Sequence, residues 1–251
     1  MHLMLEMYYV LKGKLPLTPI FAELAEQGLE VKHTSDISQA ANYLISRNDM
    51  DLEEAEETRF QFEKYIEFYQ NETWQPLAVE ETGSKVLYED YDIKIIYSFK
   101  IDLIVDDGRL IMPVDHKTQG RRDAPSSMEN QFIGYCWALG RNYICINAIG
   151  FQKTLSPAER FQRYVLPISD ARIAEWVKDT TYWAKYLAER LEKDHWPRSN
   201  NSCKGKYGCR FLPVCGSDPE LRGWKLDSEF VQGPSWDVAK ELEREKKGEQ
   251  G

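Results

Sequence analysis

The length, composition and charge of the chain indicate a globular protein with a substantial apolar core. Its 251 residues allow one large domain or two small ones, and 42% hydrophobic and 12% aromatic residues supply the core. The net charge of −9 argues mildly against broad binding of polyanions, unless basic residues gather on one face. The candidates for such a face are Lys117, Arg121, Arg122, Lys153, Arg160 and Arg163.

The sequence also predicts the compartment of the protein. It has no run of about 18 apolar residues, and charge enters the first residues too early for a secretory signal. We therefore expect a cytoplasmic location and no membrane partner. Five cysteines, an odd number, do not resemble the disulfide framework of a secreted protein.

Residues 1–73 show the apolar spacing of helices and are predicted to form a helical N-terminal part. The first helix has no N-cap residue ahead of it, so we expect part of its natural lead-in to be missing. Further helices are predicted over residues 18–30, 35–48 and 51–72. In the last of these, an acidic face is expected to be solvated, opposite an apolar stripe of Phe60, Tyr65, Phe68 and Tyr69.

From Trp74 the apolar period changes to that of strands. Strands are predicted over residues 74–82, 85–89, 93–105, 108–118, 143–153 and 160–168. A helix opened by serine is predicted over residues 126–140, and a long helix over 170–193. This order predicts an α/β fold, with a mixed central β-sheet flanked by helices over residues 74–195.

The C-terminal region changes in texture after Trp196. Residues 196–220 are rich in Gly, Asn, Ser, Pro and Cys, too irregular for a helix, so we expect a local cross-link to hold them. Cys203, Cys209 and Cys215 are the expected ligands, whereas Cys136 and Cys145 lie in apolar surroundings and are expected to be core residues. Residues 221–251 are predicted to form a tail, with a charged helix over 237–251 fraying into disorder.

Three charged side chains are predicted to converge in a hairpin over residues 100–120. Asp115 and Lys117 face the same side of a strand and His116 faces the other. A turn at residues 106–108 would let Asp102, on the neighbouring strand, approach Asp115. Two desolvated carboxylates repel, and a divalent cation such as Mg²⁺ removes that penalty. The pattern favours metal-assisted phosphodiester hydrolysis, although an isolated D-x-K is more often a surface ion pair.

Two helices carry further polar pairs. Gln131 and Tyr135 are spaced i, i+4 on the helix after the hairpin, where they could reach the metal site or a nucleic-acid strand. His2 and Glu6 have the same spacing on the first helix. No G-x-x-x-x-G-K-[ST] occurs in the chain, so any ATP motor would be a separate protein.

In order and spacing, these residues resemble the RecB-like branch of the PD-(D/E)XK nuclease superfamily. That branch includes the nuclease domains of RecB and AddB and the phage and CRISPR-associated RecB-like exonucleases. The matching stretches are "HLMLE", "KIDLI", "VDHKT" and "QFIGY", and the resemblance covers about residues 1–215. It implies a restriction-endonuclease-like core that acts on DNA.

The resemblance also implies roles for individual residues. Mg²⁺ or Mn²⁺ would be held by His2, Asp102, Asp115 and the carbonyl of His116. Lys117 would be the catalytic lysine, and Gln131 with Tyr135 would contact DNA or support the site. Glu80 lies where this branch often has a glutamate on the first core strand, but a salt-bridged acid is at least as expected, so it receives no catalytic role.

The same branch holds a [4Fe–4S] cluster with three C-terminal cysteines and one upstream cysteine. The resemblance therefore implies a cluster at Cys203, Cys209 and Cys215. The fourth ligand stays open between Cys136, Cys145 and a residue missing from the start of the chain. His195 as the fourth ligand would instead favour zinc, and unligated thiols are the remaining alternative.

The functional expectation is a metal-dependent deoxyribonuclease, an exonuclease directed at single strands or ends, in DNA processing, recombination, repair, or phage or CRISPR metabolism. The alternative is a catalytically weak DNA-binding or assembly module beside a helicase, a recombination protein or an integration complex. A metal-dependent hydrolase of RNA is a third possibility, because nothing in the sequence identifies a group that reads a 2′-hydroxyl.

Overall fold

The computed structural model describes residues 1–37, 40–41, 43, 52–119, 129–152, 154–193, 195, 203 and 208–233. The chain divides into two compact units, one containing Met1–Tyr182 and the other beginning at Trp183. The predicted catalytic residues all belong to the first unit. Most of the helix predicted over 35–48, the tail helix over 237–251, and the basic residues Arg121, Arg122 and Lys153 lie outside the described residues.

The described N-terminal part is helical, as predicted. It contains α1 (His2–Gly13), α2 (Pro19–Glu26), a 3₁₀ turn (Thr34–Asp36) and α3 (Leu52–Phe68). The first helix ends at Lys14, whose backbone is left-handed and whose N–H donates to the Leu11 and Val10 carbonyls. Because Met4, Leu5 and Met7 are fully buried, α1 belongs to the core of this unit.

Five strands form one mixed sheet in the order β1-β2-β3-β4-β5. They are β1 (Gln75–Glu89), β2 (Lys94–Asp106), β3 (Ile111–Gln119), β4 (Tyr143–Gly150) and β5 (Phe161–Pro167). Neighbouring strands are antiparallel except β3 and β4, which are parallel and are connected through α4 (Asn130–Leu139). A short helix, α5 (Pro157–Arg160), precedes β5, and α6 (Asp170–Glu192) follows it. The structure confirms the predicted α/β class with a helix-flanked mixed sheet.

Two apolar clusters cover the two faces of this sheet. The first joins residues of α1, α2 and α3 to Leu103, Val114 and Cys145. The second joins α4 and α6 to Ile146 and its neighbours and contains Cys136. Cys136 and Cys145 are both fully buried, which confirms the prediction that they are core residues. This burial raises the pKa of both thiols to about 12.

Three details of the sequence prediction are wrong in this unit. The separate strands over 74–82 and 85–89 are one strand, because Gly83 continues the ladder opposite Phe99, whose ring would lie 2.5 Å from a Cβ at that position. Helix α4 is opened by Glu129 and not by a serine. The acidic face of α3 is exposed as expected, but Phe60 and Phe68 stay 45% and 41% exposed, because the buried face passes through Phe62 instead.

The described part of the second unit is also helical. It contains the end of α6, α7 (Leu212–Gly216), a 3₁₀ turn (Pro219–Leu221) and α8 (Arg222–Glu229). The expectation that residues 196–220 hold no helix is therefore wrong for α7, where Pro213 occupies the first turn and so removes no helical hydrogen bond. Across both units, none of the described helices combines the length and apolar character needed to cross a membrane.

Candidate functional site

The β2–β3 hairpin has the geometry that the sequence predicts. Leu103 pairs with Val114, and Asp106 with Ile111. In the turn, the Asp106 carboxylate accepts the N–H of Gly108 at 2.8 Å, and Gly108 is left-handed with a φ of 89°. Asp107 likewise accepts backbone N–H groups within the turn. Both acids therefore form the turn and lie outside the site.

Asp115 and Lys117 point to the same side of β3. Lys117 Nζ lies 2.8 Å from Asp115 Oδ2, and the side chain of Asp115 is only 2% exposed. Burial is the main cause that raises the pKa of Asp115, while Lys117 acts in the opposite direction. Despite this ion pair, Oδ2 has no hydrogen bond of good geometry within the described part of the chain. The buried oxygen therefore has capacity for another cationic ligand.

Asp102 joins this pair from the neighbouring strand. Its Oδ2 accepts the backbone N–H of His116 at 2.7 Å and lies 3.8 Å from Nδ1 of His2. Burial raises the pKa of Asp102, and the negative charge of Asp102 raises the pKa of Asp115 further. The structure thus brings His2, Asp102 and Asp115 into one electrostatically coupled group.

A relay of hydrogen bonds holds Lys117 from the other side. Its Nζ donates to Oε1 of Gln131 at 3.1 Å, and Nε2 of Gln131 donates to the Tyr135 hydroxyl at 2.8 Å. That hydroxyl donates to the backbone carbonyl of Lys100 on β2 at 2.5 Å. The i, i+4 pair on α4 therefore connects Lys117 to the backbone of β2, next to Asp102.

Gly134 allows α4 to lie close enough for this relay. A Cβ at this position would lie 2.2 Å from the Tyr97 hydroxyl oxygen and 3.1 Å from the ring of Trp176. Tyr97 is on β2 and Trp176 is on α6, so the absence of a side chain sets the distance between α4 and the sheet.

Two further carboxylates lie beside the site. Oε2 of Glu80 is 3.0 Å from Nζ of Lys100, which agrees with the salt-bridged acid considered from the sequence. Glu80 has a φ of 51°, in the left-handed region that non-glycine residues seldom adopt. Glu6 is buried in α1, and burial together with the charge of Glu80 raises its pKa to about 7. The negative charge of Glu80 also raises the pKa of Asp102.

His116 faces the opposite side of β3, as predicted. Its ring stacks on that of Tyr9 with centroids 5.8 Å apart, and its Nδ1 lies 2.8 Å from Nδ2 of Asn147. Burial lowers the pKa of His116 to about 3, so the ring is neutral. The sequence analysis missed Asn147, although a polar residue inside the apolar strand "YICINAIG" was a signal.

Arg163 does not contribute to an exposed basic face. Its guanidinium lies between the rings of Tyr69 and Trp74, 3.6 and 3.5 Å from their centroids, and donates to the carboxylate of Glu72. The side chain is 14% exposed. The prediction of a polyanion-binding role for Arg163 is therefore wrong, because a buried network binds this residue.

The predicted metal ligands match a divalent cation in their chemical type. Asp102 and Asp115 are desolvated carboxylates, and oxygen ligands of this kind suit Mg²⁺ and Mn²⁺. The described ranges contain no group of three or more His, Cys, Asp or Glu side chains arranged to hold a metal ion. The charge of Asp102 acts on Asp115, and His2 lies beside Asp102, but the three side chains are not arranged as a preformed metal site.

The cysteines of the second unit do not form the predicted cluster site in the described part of the chain. Cys203, Cys209 and Cys215 are free and partly exposed. They are not gathered into a group of three ligands there, with or without His195. The described residues therefore do not fit an iron–sulfur cluster or a zinc ion.

The fold and the site together define the class: an α/β protein in which one hairpin presents a buried carboxylate, a part-buried carboxylate and a lysine. A family model, the PD-(D/E)XK nuclease superfamily, matches residues 1–216, and the chain belongs to that superfamily. Nucleases of this superfamily typically use Mg²⁺ or Mn²⁺ and act on DNA. The RecB-like branch stays a prediction.

Two other comparisons add little to this. None of the curated proteins compared matches the chain. A solved structure described as "Crystal structure of SSO0001" aligns with 79% of this chain and 81% of its own, at 14% identity and a TM-score of 0.34. A likeness this weak says nothing about function.

Proposed function

We propose that the protein is a Mg²⁺- or Mn²⁺-dependent deoxyribonuclease of the RecB-like branch, an exonuclease directed at single strands or ends. Membership of the nuclease superfamily supports the general activity. The observation that carries the proposal is the position of Lys117, whose Nζ is 2.8 Å from Asp115 Oδ2 and 3.1 Å from Gln131 Oε1. In an ordinary surface ion pair, both side chains are exposed. Here the carboxylate of Asp115 is buried, and Lys117 is also held by a hydrogen-bond relay through α4.

In this proposal, the cation is held by the side chains of His2, Asp102 and Asp115 and by the carbonyl of His116. A bound cation supplies Lewis-acid polarisation of the phosphate and lowers the pKa of a water molecule. The raised pKa values of the two carboxylates support this proposal. Burial raises the pKa of both Asp102 and Asp115, so their ionised forms are disfavoured without a compensating charge.

Lys117 is the proposed catalytic lysine. An ammonium group has three N–H donors. That of Lys117 forms an ion pair with Asp115 and donates one hydrogen bond to Gln131, so a donor remains for a phosphate oxygen or the attacking water. The side chain is 36% exposed, so substrate can approach it. Gln131 and Tyr135 hold Lys117 in this position and orient its donors, which restricts the conformations that the long side chain can adopt.

The wider setting of the proposal comes from the sequence resemblance alone. It includes a role in DNA processing, recombination, repair, or phage or CRISPR metabolism, a separate helicase or recombination partner, and a cytoplasmic location. The proposal does not include the [4Fe–4S] cluster or zinc ion that the resemblance implies at Cys203, Cys209 and Cys215, because the described thiols are not gathered into a ligand group. Iron, sulfide and zinc analysis of protein purified without oxygen tests the metal content directly.

One observation favours the second candidate, a DNA-binding or assembly module with a weak nuclease site. Within the described residues, the site contains no preassembled group of three metal ligands. Such a module would bind DNA without hydrolysing it at any divalent metal concentration.

Digestion of end-labelled DNA distinguishes these functions. Single-stranded DNA, duplex DNA and RNA of one sequence are incubated with Mg²⁺, Mn²⁺ or EDTA, and the label at either end reports polarity. We expect metal-dependent loss of DNA, abolished by Asp115→Asn and by Lys117→Ala. Asp107→Asn is the matched control, because it changes a carboxylate of the same hairpin outside the site and keeps an acceptor oxygen for the turn.

Three results would redirect the proposal. Hydrolysis that survives both site variants would exclude the assigned residues. Binding of labelled DNA with no turnover would favour the assembly module, and preferential loss of RNA would change the substrate class.

A further inference from the structure

A buried polar network lies on the side of β3 opposite to Asp115 and Lys117. His116 stands between these two residues in the chain, and its backbone N–H is the donor that binds Asp102. Its imidazole is 4% exposed. The orientation of this one peptide therefore affects both the direction of Asp115 and Lys117 and the contact to Asp102.

Asn147 is the residue that fixes the imidazole within the sheet. It is directly opposite His116 in the parallel β3–β4 ladder, and it is fully buried. Its Nδ2 lies 2.8 Å from His116 Nδ1 and 2.9 Å from the hydroxyl of Tyr65. Because the two strands are paired at this position, the amide reaches the ring without crossing any other side chain.

The far end of the network is anchored by the part-buried guanidinium of Arg163. The hydroxyls of Tyr65 and Tyr9 lie 2.6 Å apart, and Nη2 of Arg163 donates to them at 3.2 and 3.1 Å. Arg163 is opposite Asn147 in the β4–β5 ladder and also binds Glu72. The network thus runs from β3 to β5 and includes residues of α1 and α3.

Polar groups in a core are costly unless each has a partner, and apolar side chains of similar size often stabilise a fold equally well. What a hydrogen-bonded network adds is a single arrangement of the groups in it. Both contacts of Asn147 are made by Nδ2, and its Oδ1 has no hydrogen-bond partner among the described residues. Here the network ends at the ring of His116, which lies in the chain between Asp115, the proposed metal ligand, and Lys117, the proposed catalytic lysine.

We propose that Asn147 is a positioning residue for the nuclease site: through the His116 ring, it holds the peptide that orients Asp115 and Lys117. This inference rests on the proposed function for its catalytic consequence. Its structural part, that Asn147 restrains the His116 peptide, is independent of any activity.

Asn147→Leu removes the amide and keeps the side-chain size, and Gln61→Met is its control. Gln61 is also fully buried, and its amide nitrogen donates to Glu57, one turn earlier in the same helix. We expect Asn147→Leu to lower kcat for single-stranded DNA at least about tenfold with little change in KM, since orientation at the reacting centre would be lost. Gln61→Met should leave kcat unchanged even where it lowers stability.

A double-variant comparison separates positioning from a general loss of stability. If Asn147 acts through the imidazole, Asn147→Leu should lower kcat no further in a His116→Leu background. If the kcat losses of Asn147→Leu and His116→Leu multiplied in the double variant, the proposal would be overturned. Tyr65→Phe, which removes only the hydroxyl that the amide contacts, is the second variant should Asn147→Leu not fold, and it should lower kcat in the same direction.

Hydrogen exchange provides the readout that does not need catalysis. In the peptide over residues 112–119, we expect the His116 amide, which donates to Asp102, to exchange faster in Asn147→Leu than in the wild type. Gln61→Met should leave this exchange rate unchanged. Wild-type exchange and wild-type kcat in the variant would overturn the positioning role while leaving the nuclease function intact. Absence of DNA hydrolysis in the wild type would instead reject the proposed function, and the exchange result would still decide the positioning.

Discussion

Replacing Gly134 with alanine adds one methyl group at the closest approach between α4 and the sheet. The added Cβ would lie 2.2 Å from the Tyr97 hydroxyl oxygen, about 1.2 Å short of the 3.4 Å at which ordinary contact begins. Tyr97 is packed edge-on against Trp137 and Trp176, so its ring has little room to move. We therefore expect α4 to shift away from β2 by a fraction of the overlap.

Two opposing terms determine the change in stability. Overpacking of a core typically costs about 1–3 kcal/mol, and alanine in place of a helical glycine returns about 1 kcal/mol. The net expectation is a loss of about 0–2 kcal/mol in the free energy of unfolding. A displacement near 1 Å at the site can also lower catalysis by about 100-fold, because Gln131 and Tyr135 are carried on the same helix.

Urea unfolding and the kinetics of DNA hydrolysis measure the two effects. The matched control is Gly134→Ala combined with Tyr97→Leu, in which the phenol ring that the new methyl would meet is absent. We expect the second change to recover part of both losses relative to Tyr97→Leu alone. If Gly134→Ala were as stable and as active as the wild type, the close approach of α4 would not be what positions the relay.

Three further predictions concern titration and the relay. Asp115→Asn should raise the stability of the metal-free protein by about 1 kcal/mol, because it removes a desolvated charge, and should abolish the rise in Tm produced by Mn²⁺; an undiminished rise would place the metal elsewhere. Burial raises the pKa of Glu6 from 4.5 to about 7, so its contribution to folding is complete below pH 4.5 and is lost as the pH rises to about 7. Unfolding free energies measured across this range should therefore fall by about 1–3 kcal/mol in the wild type and less in Glu6→Gln, and equal slopes would refute this. Tyr135→Phe should lower kcat about tenfold at unchanged KM, with a stability loss of about 1 kcal/mol, whereas an unchanged kcat would exclude the relay from catalysis.

Strand and helix periodicity predicted the arrangement of the candidate site. Alternation on β3 places Asp115 with Lys117, and the i, i+4 rule places Gln131 with Tyr135, so these contacts follow from local rules. The same rules predicted that His116 faces away from Lys117.

The role of Asn147, which the sequence analysis missed, and the enclosed position of Arg163, which it mispredicted, both depend on contacts between distant segments. Asn147 contacts His116 because β3 and β4 pair in this register, and Arg163 is withdrawn from the surface because the rings of Tyr69 and Trp74 pack against its guanidinium. Neither partner is close in the chain, so no local spacing marks them. Gly83 lies between two strands that were predicted to be separate, and only its pairing with Phe99, whose ring occupies the space of a side chain at this position, shows that the strand continues.

The measurement that tests the central claim most directly is single-turnover hydrolysis of end-labelled single-stranded DNA with Mn²⁺, by the wild type, Lys117→Met and Asp107→Asn. The account predicts hydrolysis that EDTA abolishes, a rate at least about 100-fold lower in Lys117→Met, and an unchanged rate in Asp107→Asn. Equal rates for Lys117→Met and the wild type, or hydrolysis that persists in EDTA, would contradict the assignment of this hairpin as a metal-dependent nuclease site.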